Sequence, residues 1–323
     1  MSANIKTNKL KNLTDKLRKY KKYEPPQPKN KDLPPTYNII LSSSPKGGGK
    51  THSCVQLLEN YSNSGFIDEK GNDVRMRIVW VSGGTSHSKQ NSILDSLKLL
   101  HEDDRLNIET DIDQRMNEIY DQIKEERDNV EAYNIYREIF GKFKAKKLSL
   151  LTTEELMILN FKHYIDPLID PDVPQDADGN KLYAPRMVFL VLDDMISTNA
   201  FGTKKSNFFN RIAVKSRHDS EDLCPINLFL ITQSFKAVPA LIRRQTDVFI
   251  LLKSANRSYI IDAISEEVGS HFSKEEILEY YDKIMKIPYG SLILSIHKKE
   301  KEENRIRIGW TETVVRDPKY LNA

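Results

Sequence analysis

A chain of 323 residues with 39% hydrophobic and 9% aromatic residues can bury a large core, and its length fits one large α/β domain with insertions, or two domains. The 29% charged fraction suggests exposed helices, while a net charge of +3 is too small to single out a partner. Cys54 and Cys224 read as reduced small hydrophobes rather than a disulfide or metal pair. The polar, lysine-rich N-terminus holds no apolar block, and apolar runs reach only about seven residues against the ~20 needed to span a bilayer. The expectation is a soluble intracellular chain, not secreted and with no membrane span.

Residues 1–35 form a basic arm dotted with Pro25, Pro26, Pro28, Pro34 and Pro35, which block regular structure. Its lysines suit neutralisation of nucleic-acid phosphates, or a solvated tail. The remainder, residues 36–323, opens with an apolar strand over 37–41. A turn rich in glycine follows, Ser44-Pro-Lys-Gly-Gly-Gly-Lys-Thr-His, and then a helix over 51–61 with Cys54, Leu58 and Tyr61 on one face. A glycine turn between strand and helix exposes successive backbone N–H groups at a helix N-terminus, which is an anion cradle. Ser44, Pro45, Lys46, Gly47, Gly48, Gly49, Lys50, Thr51 and His52 are the candidate binding residues. Lys50 reaches the β- and γ-phosphates of ATP and the Thr51 hydroxyl ligates Mg²⁺. Ser44 stands where this pattern normally has its first glycine.

A second buried strand covers 75–82 and ends in Gly83-Gly84. A charged helical region follows over 91–165, with Ile112, Met116, Ile119 and Ile123, then Ile135, Ile139 and Phe143, at helical spacing. Thr152 and Glu155 pattern as a capping box. The stretch 166–180 reads as an acidic loop whose Asp176-Ala-Asp-Gly-Asn lacks the later glutamate of a calcium loop.

The run 187–192 is a continuous apolar strand entering Asp193-Asp194. In an open α/β sheet its carboxyl end faces the phosphate loop, so Asp193 is the expected Mg²⁺ ligand and Asp194 the residue that orients the attacking water. Helix 208–214, strand 225–231 ending at Gln233, and strand 248–252 follow. The Gln233 amide suits sensing of a γ-phosphate. Arg217 is the favoured arginine acting across a subunit interface, with Arg243 and Arg244 as alternatives; His218 beside Arg217 reads as local structure. Helices are expected near 257–267 and 274–286, the second with a Ser273–Glu276 capping box, and strands at 291–296 and 305–310. Strands alternating with helices define an α/β fold with a mainly parallel sheet covered on both faces and a helical insertion, about 91–180, after the second strand.

This order of motifs is specific. The phosphate loop, Asp193-Asp194-Met195, Arg217-His218, Phe229-Leu-Ile-Thr-Gln-Ser-Phe and Val238-Pro-Ala-Leu-Ile-Arg-Arg together resemble the genome-packaging ATPases of large DNA viruses and virophages, in the FtsK–HerA superfamily. The resemblance covers about 36–255. It implies a RecA-like core with an extra strand between the phosphate-loop strand and the Asp193 strand. It also implies ATP hydrolysis between subunits of a homo-oligomeric ring (pentamer or hexamer), and double-stranded DNA drawn through it. The partner it suggests is a capsid vertex or portal protein, and the location the host cytoplasm, a viral factory or the virion. A glutamate is common where Asp194 stands. Rival readings are a helicase or DNA-repair ATPase of the same superfamily, a nucleoside or nucleotide kinase, and a non-catalytic nucleotide-dependent scaffold.

Overall fold

The apolar runs pair with one another into a nine-stranded sheet. The computed structural model describes residues 25–36, 38–83, 94–95, 97, 100–107, 112–144, 148–153, 155, 173–175, 179–182, 184, 186–195 and 226–320. The strands of the main sheet are β1 (Ile39–Ser43), β2 (Met76–Ser82), β3 (Arg105–Asn107), β4 (Met187–Asp193), β5 (Ile226–Thr232), β6 (Val248–Leu252), β7 (Ser291–Ser295), β8 (Ile306–Ile308) and β9 (Glu312–Thr313). They lie in the order β9-β8-β7-β6-β1-β5-β4-β2-β3. Strands β6 to β3 of that order are parallel throughout, and β7, β8 and β9 extend the sheet antiparallel. The extra strand implied by the resemblance is β5, which lies between β1 and β4.

Among the described residues the helices are α1 (Lys50–Ser64), α2 (Ile112–Lys144), α3 (Ala240–Arg243), α4 (Arg257–Val268) and α5 (Lys274–Ile284). Side chains alternate across a strand, so each run feeds two cores. Ile40, Ile78, Trp80, Phe189, Phe229 and Ile250 pack with Cys54, Leu57, Leu58 and Tyr61 of α1. Ile39, Leu41, Val79, Leu190, Leu230 and Phe249 pack on the other side with Met116, Ile119 and Ile123 of α2 and with Ile260, Ile264, Ile277 and Tyr281 of α4 and α5. Burial on both faces is why the central strands are apolar without alternation. The expected insertion supplies the edge strand β3 and, in the first turns of α2, part of the cover for one face.

Several boundaries differ from the sequence reading. β1 runs on through Ser42 and Ser43 because β5 and β6 pair with both residues. β8 stops at Ile308 because Gly309, at φ 58°, turns the chain towards β9. The Thr152–Glu155 box is reciprocal, with bonds of 2.9 and 3.1 Å. The Ser273 box is half formed: Ser273 Oγ accepts from the Glu276 N–H at 3.1 Å, but Arg316 engages the Glu276 carboxylate, at 2.6 and 2.7 Å. Residues 25–35, read as part of the arm, pack on the core. Gln27–Pro28 pairs with Phe66–Ile67, the Tyr61 hydroxyl donates to Pro34 O at 2.8 Å, and Arg307 donates to Asp32 O. The helix expected at 208–214 lies outside the described residues, as do Arg217, His218 and Cys224.

No described helix is long and apolar enough to cross a membrane.

Candidate nucleotide site

Four parallel strands deliver the candidate residues to one edge. Register places Ser43 beside Thr232, Asp193 beside Ile231, and Ser82 beside Asp193. The loop after β1, the acids ending β4 and Gln233 after β5 therefore leave the sheet together, at the carboxyl edge where open α/β sheets collect ligands.

The loop 44–49 takes its shape from its glycines. Gly47 and Gly49 sit at φ 80° and 90°, a left-handed conformation that side chains resist. Gly48 is required for a different reason: a Cβ there would overlap Ser44 Oγ and press on Pro45 O. Ser44, 1% exposed, thus fills the space that a glycine would leave, and Gly48 makes room for it. The Ser44 N–H donates to Thr232 O at 3.2 Å, which fastens the loop to β5. α1 starts behind Gly49, which has no side chain to cap the first-turn N–H groups. Pro45, Lys46 and His52 are exposed.

Lys50 is 9% exposed and donates through Nζ to Ser44 O at 2.6 Å and Pro45 O at 3.0 Å. Burial pushes its ammonium below the ordinary lysine range, while the charges of Asp193 and Asp194 pull it back up. Asp193 feels the same cluster from the other side. Burial and the Asp194 charge push its carboxyl up to about 6, against the pull of Lys50. Lys50 and the two aspartates therefore form one electrostatic unit across the edge, although β5 separates their strands.

Asp194 is held in the left-handed region at φ 55°. Short aspartate tolerates that conformation better than longer side chains do. Its N–H donates to Ile231 O at 2.9 Å and its carboxylate accepts from Gln233 Nε2 at 2.5 Å. Gly83 packs so tightly against the Asp194 carbonyl that a Cβ would overlap it, so the glycine ending β2 serves this turn.

The residues fit magnesium and a triphosphate. Mg²⁺ takes oxygen ligands from one or two carboxylates, substrate phosphates and water. Thr51 and Asp193 supply oxygens of that kind, buried Asp193 beside the half-buried Asp194 favours a cation, and the glycine cradle leaves open the space that a Cβ would close.

The alternative arginines differ in surroundings. Arg243 is engaged within its own chain: Nε bonds Glu267 at 3.1 Å, Nη1 bonds Lys236 O and Val238 O at 3.3 Å, and its guanidinium lies over the Phe235 ring. Arg244 is exposed. Sequence reasoning missed one support of the loop. Trp310, 4% exposed, donates its indole N–H to Ser53 O at 2.8 Å, and so braces the first turn of α1 from the far end of the chain.

Fold and loop together define the α/β P-loop NTPase class. No family model and no curated protein matches the sequence. Among solved structures, the chain is similar to the genome packaging NTPase B204 from Sulfolobus turreted icosahedral virus 2 in complex with ATP-gammaS. That match has 11% identity and a TM-score of 0.40, and covers 84% of this chain and 96% of the other. It is also similar to EssC (ATPases 2 and 3) from Geobacillus thermodenitrificans, at 12% identity and TM-score 0.37, over 85% of this chain and 38% of that one. A third is the pCW3 conjugation coupling protein TcpA with ATPgS, at 14% identity and TM-score 0.38, over 86% and 59% of the two chains.

Proposed function

We propose that this chain is a magnesium-dependent ATPase that translocates double-stranded DNA, in the manner of viral genome-packaging enzymes. The observation that carries the ATPase reading is the sheet register that brings Asp193, Gln233 and a glycine loop opening a helix at Lys50 out at one carboxyl edge. The DNA-packaging reading rests on the motif order from Ser44 to Arg244.

In this reading the loop N–H groups and Lys50 bind the phosphates, and Thr51 and Asp193 hold the metal. Magnesium, when bound, offsets charge that builds on the phosphate oxygens. Asp194 orients water for attack on the γ-phosphorus, and Gln233, bonded to Asp194, carries the state of that position to Ser234 and the segment beyond. Arg217 or Arg244 reaches a neighbouring subunit of a homo-oligomeric ring, where such an arginine contributes about 10³–10⁵ in rate. Lysines contact DNA phosphates, so binding is sequence-independent and falls with salt.

The test is ATP hydrolysis by purified protein with and without blunt duplex DNA. Stimulation by duplex without strand separation is expected, and Lys50→Ala and Asp193→Ala each abolish turnover while the circular dichroism spectrum is kept. Retained turnover in both variants refutes the site. Unwinding of the duplex replaces packaging with a helicase role, and turnover that depends on a nucleoside replaces it with a kinase.

A further inference from the structure

The loop 44–51 accounts for the phosphate end of a nucleotide, and its base needs a separate contact. β7 runs antiparallel to β6, so the loop that precedes β7 emerges at the carboxyl edge, where the phosphate loop also emerges. Ser291 pairs with Leu252, next to the Leu251 that pairs with Ser43 of β1. Adjacent strands lie about 4.8 Å apart, so this second loop leaves the sheet about 10 Å to the side of the first. That is comparable to the reach from the phosphates of an extended nucleotide to its base.

The loop is Ile287-Pro288-Tyr289-Gly290. Tyr289 is 96% exposed and sits at φ 57°, one of two non-glycine residues described with a positive φ; the other is Asp194. Backbone strain of this kind persists where the surroundings enforce it, and it concentrates at functional positions. Here the surroundings do enforce it. The Ile287 N–H donates to Ile284 O at 2.9 Å, and the Gly290 N–H donates to Ile287 O at 3.0 Å. A Cβ on Gly290 would overlap Ile284 O, so the chain can pass at this point only as glycine. The turn thus fixes the backbone of Tyr289 so that its large aromatic ring stands in solvent, with the half-exposed Ile287 in the same loop, at the edge that carries the phosphate loop. Water alone gives no reason to hold a tyrosine in this way. A planar base does, because every base has a π-face and stacking tolerates any of them.

We infer that Tyr289 is the platform on which the base of a nucleoside triphosphate stacks when its phosphates occupy the loop 44–51. The inference rests on reading that loop as the nucleotide site. Stacking without hydrogen-bonded readout gives affinity and little discrimination between purines, so ATP and GTP bind alike through this contact.

The experiment is isothermal titration of the full chain, in magnesium, with ATP, ADP and inorganic tripolyphosphate. Wild type is expected to bind all three. Tyr289→Ala is expected to weaken ATP and ADP by about 5- to 150-fold, the factor that corresponds to loss of one base stack, and to leave tripolyphosphate unchanged. Tyr289→Phe keeps wild-type affinity, since the ring face and not the hydroxyl makes the contact. Both variants keep the melting temperature, because the ring is solvent-exposed. Unchanged ATP affinity in Tyr289→Ala overturns the inference, as does equal loss of tripolyphosphate. Weaker binding of duplex DNA with nucleotide affinity intact also overturns it and makes the ring a nucleic-acid contact. Wild type that binds neither ATP nor tripolyphosphate removes the nucleotide site itself, a result separable from failure of the platform alone.

Discussion

The side-chain amide of Gln233, just past the end of β5, donates to the Asp194 carboxylate beyond the end of β4 across 2.5 Å. The two strands are neighbours, and the Asp194 N–H is also bonded to Ile231 O. The residue expected to orient water is thus fixed twice by the strand that carries the expected sensor. A left-handed backbone and a side-chain amide hold one carboxylate in one place.

Gln233→Ala removes the side-chain half of that hold. Hydrolysis is expected to slow on the order of 10- to 100-fold in kcat, at the lower end of what a positioned proton-transfer group contributes, with ATP affinity kept. Steady-state kinetics beside equilibrium binding make the check. A rise in KM at constant kcat would assign Gln233 to ground-state binding instead.

Ser44 and Gly48 form a steric pair, since Ser44 Oγ occupies the space that a Cβ on residue 48 needs. Gly48→Ala is expected to weaken nucleotide binding by about tenfold or more, as the cradle is pushed open. Ser44→Gly in the same chain is expected to restore part of the loss, and a double-mutant cycle of ATP affinities measures the coupling. Additive effects would mean that the overlap relaxes elsewhere.

Trp310 joins the turn after β8 to α1. Trp310→Phe keeps most of the ring and removes the N–H that reaches Ser53, so urea denaturation should show a loss of about 1 kcal/mol. Trp310→Ala should cost about 3–5 kcal/mol, because it also empties a buried site next to the phosphate-loop helix. Equal stability of wild type and the alanine variant would contradict the packing.

Glu279 sets an acid-range dependence. Bonds from Lys283, Lys319 and Tyr320 hold its carboxyl down at about 2. An unfolded glutamate titrates near 4.3, so the ion cluster contributes above that pH and is lost as pH falls towards 2. Glu279→Gln is expected to flatten the fall in stability over that window and to change nothing in shape near neutrality. Thermal melts from pH 2 to 6 provide the measurement. An unaltered slope would show the cluster to be screened by solvent.

Much of the fold was legible because its strands are apolar runs between turn signals. Strands β2, β4, β5, β6 and β7 fall within a residue or two of the sequence reading, and the glycine turn that opens a helix was plain from Gly47 to Thr51. Residue spacing carries periodicity, and periodicity finds buried strands and amphipathic helices. It does not find contacts between distant segments. Nothing in the local sequence pairs Trp310 with Ser53, or Arg316 with the Glu276 that a capping box would have used. Backbone conformation was equally hidden at Asp194, although Gly83 held the signal: a glycine ending one strand is what a close carbonyl on the next requires. The place of Pro288-Tyr289-Gly290 at the carboxyl edge, two strands from β1, depends on strand order.

The bond from Trp310 to α1 bears on how this protein can be cut. The antiparallel β7–β9 extension looks detachable in the sequence, a charged hairpin after the last helix. Deleting it would uncover the β6 edge and strip Ser53, three residues beyond Lys50, of its bond to Trp310. Truncation between α5 and β7 would therefore leave a sticky fragment with a loosened cradle, and because Arg316, Lys319 and Tyr320 bond Glu276 and Glu279 of α5, expression boundaries and fusion points belong beyond Tyr320.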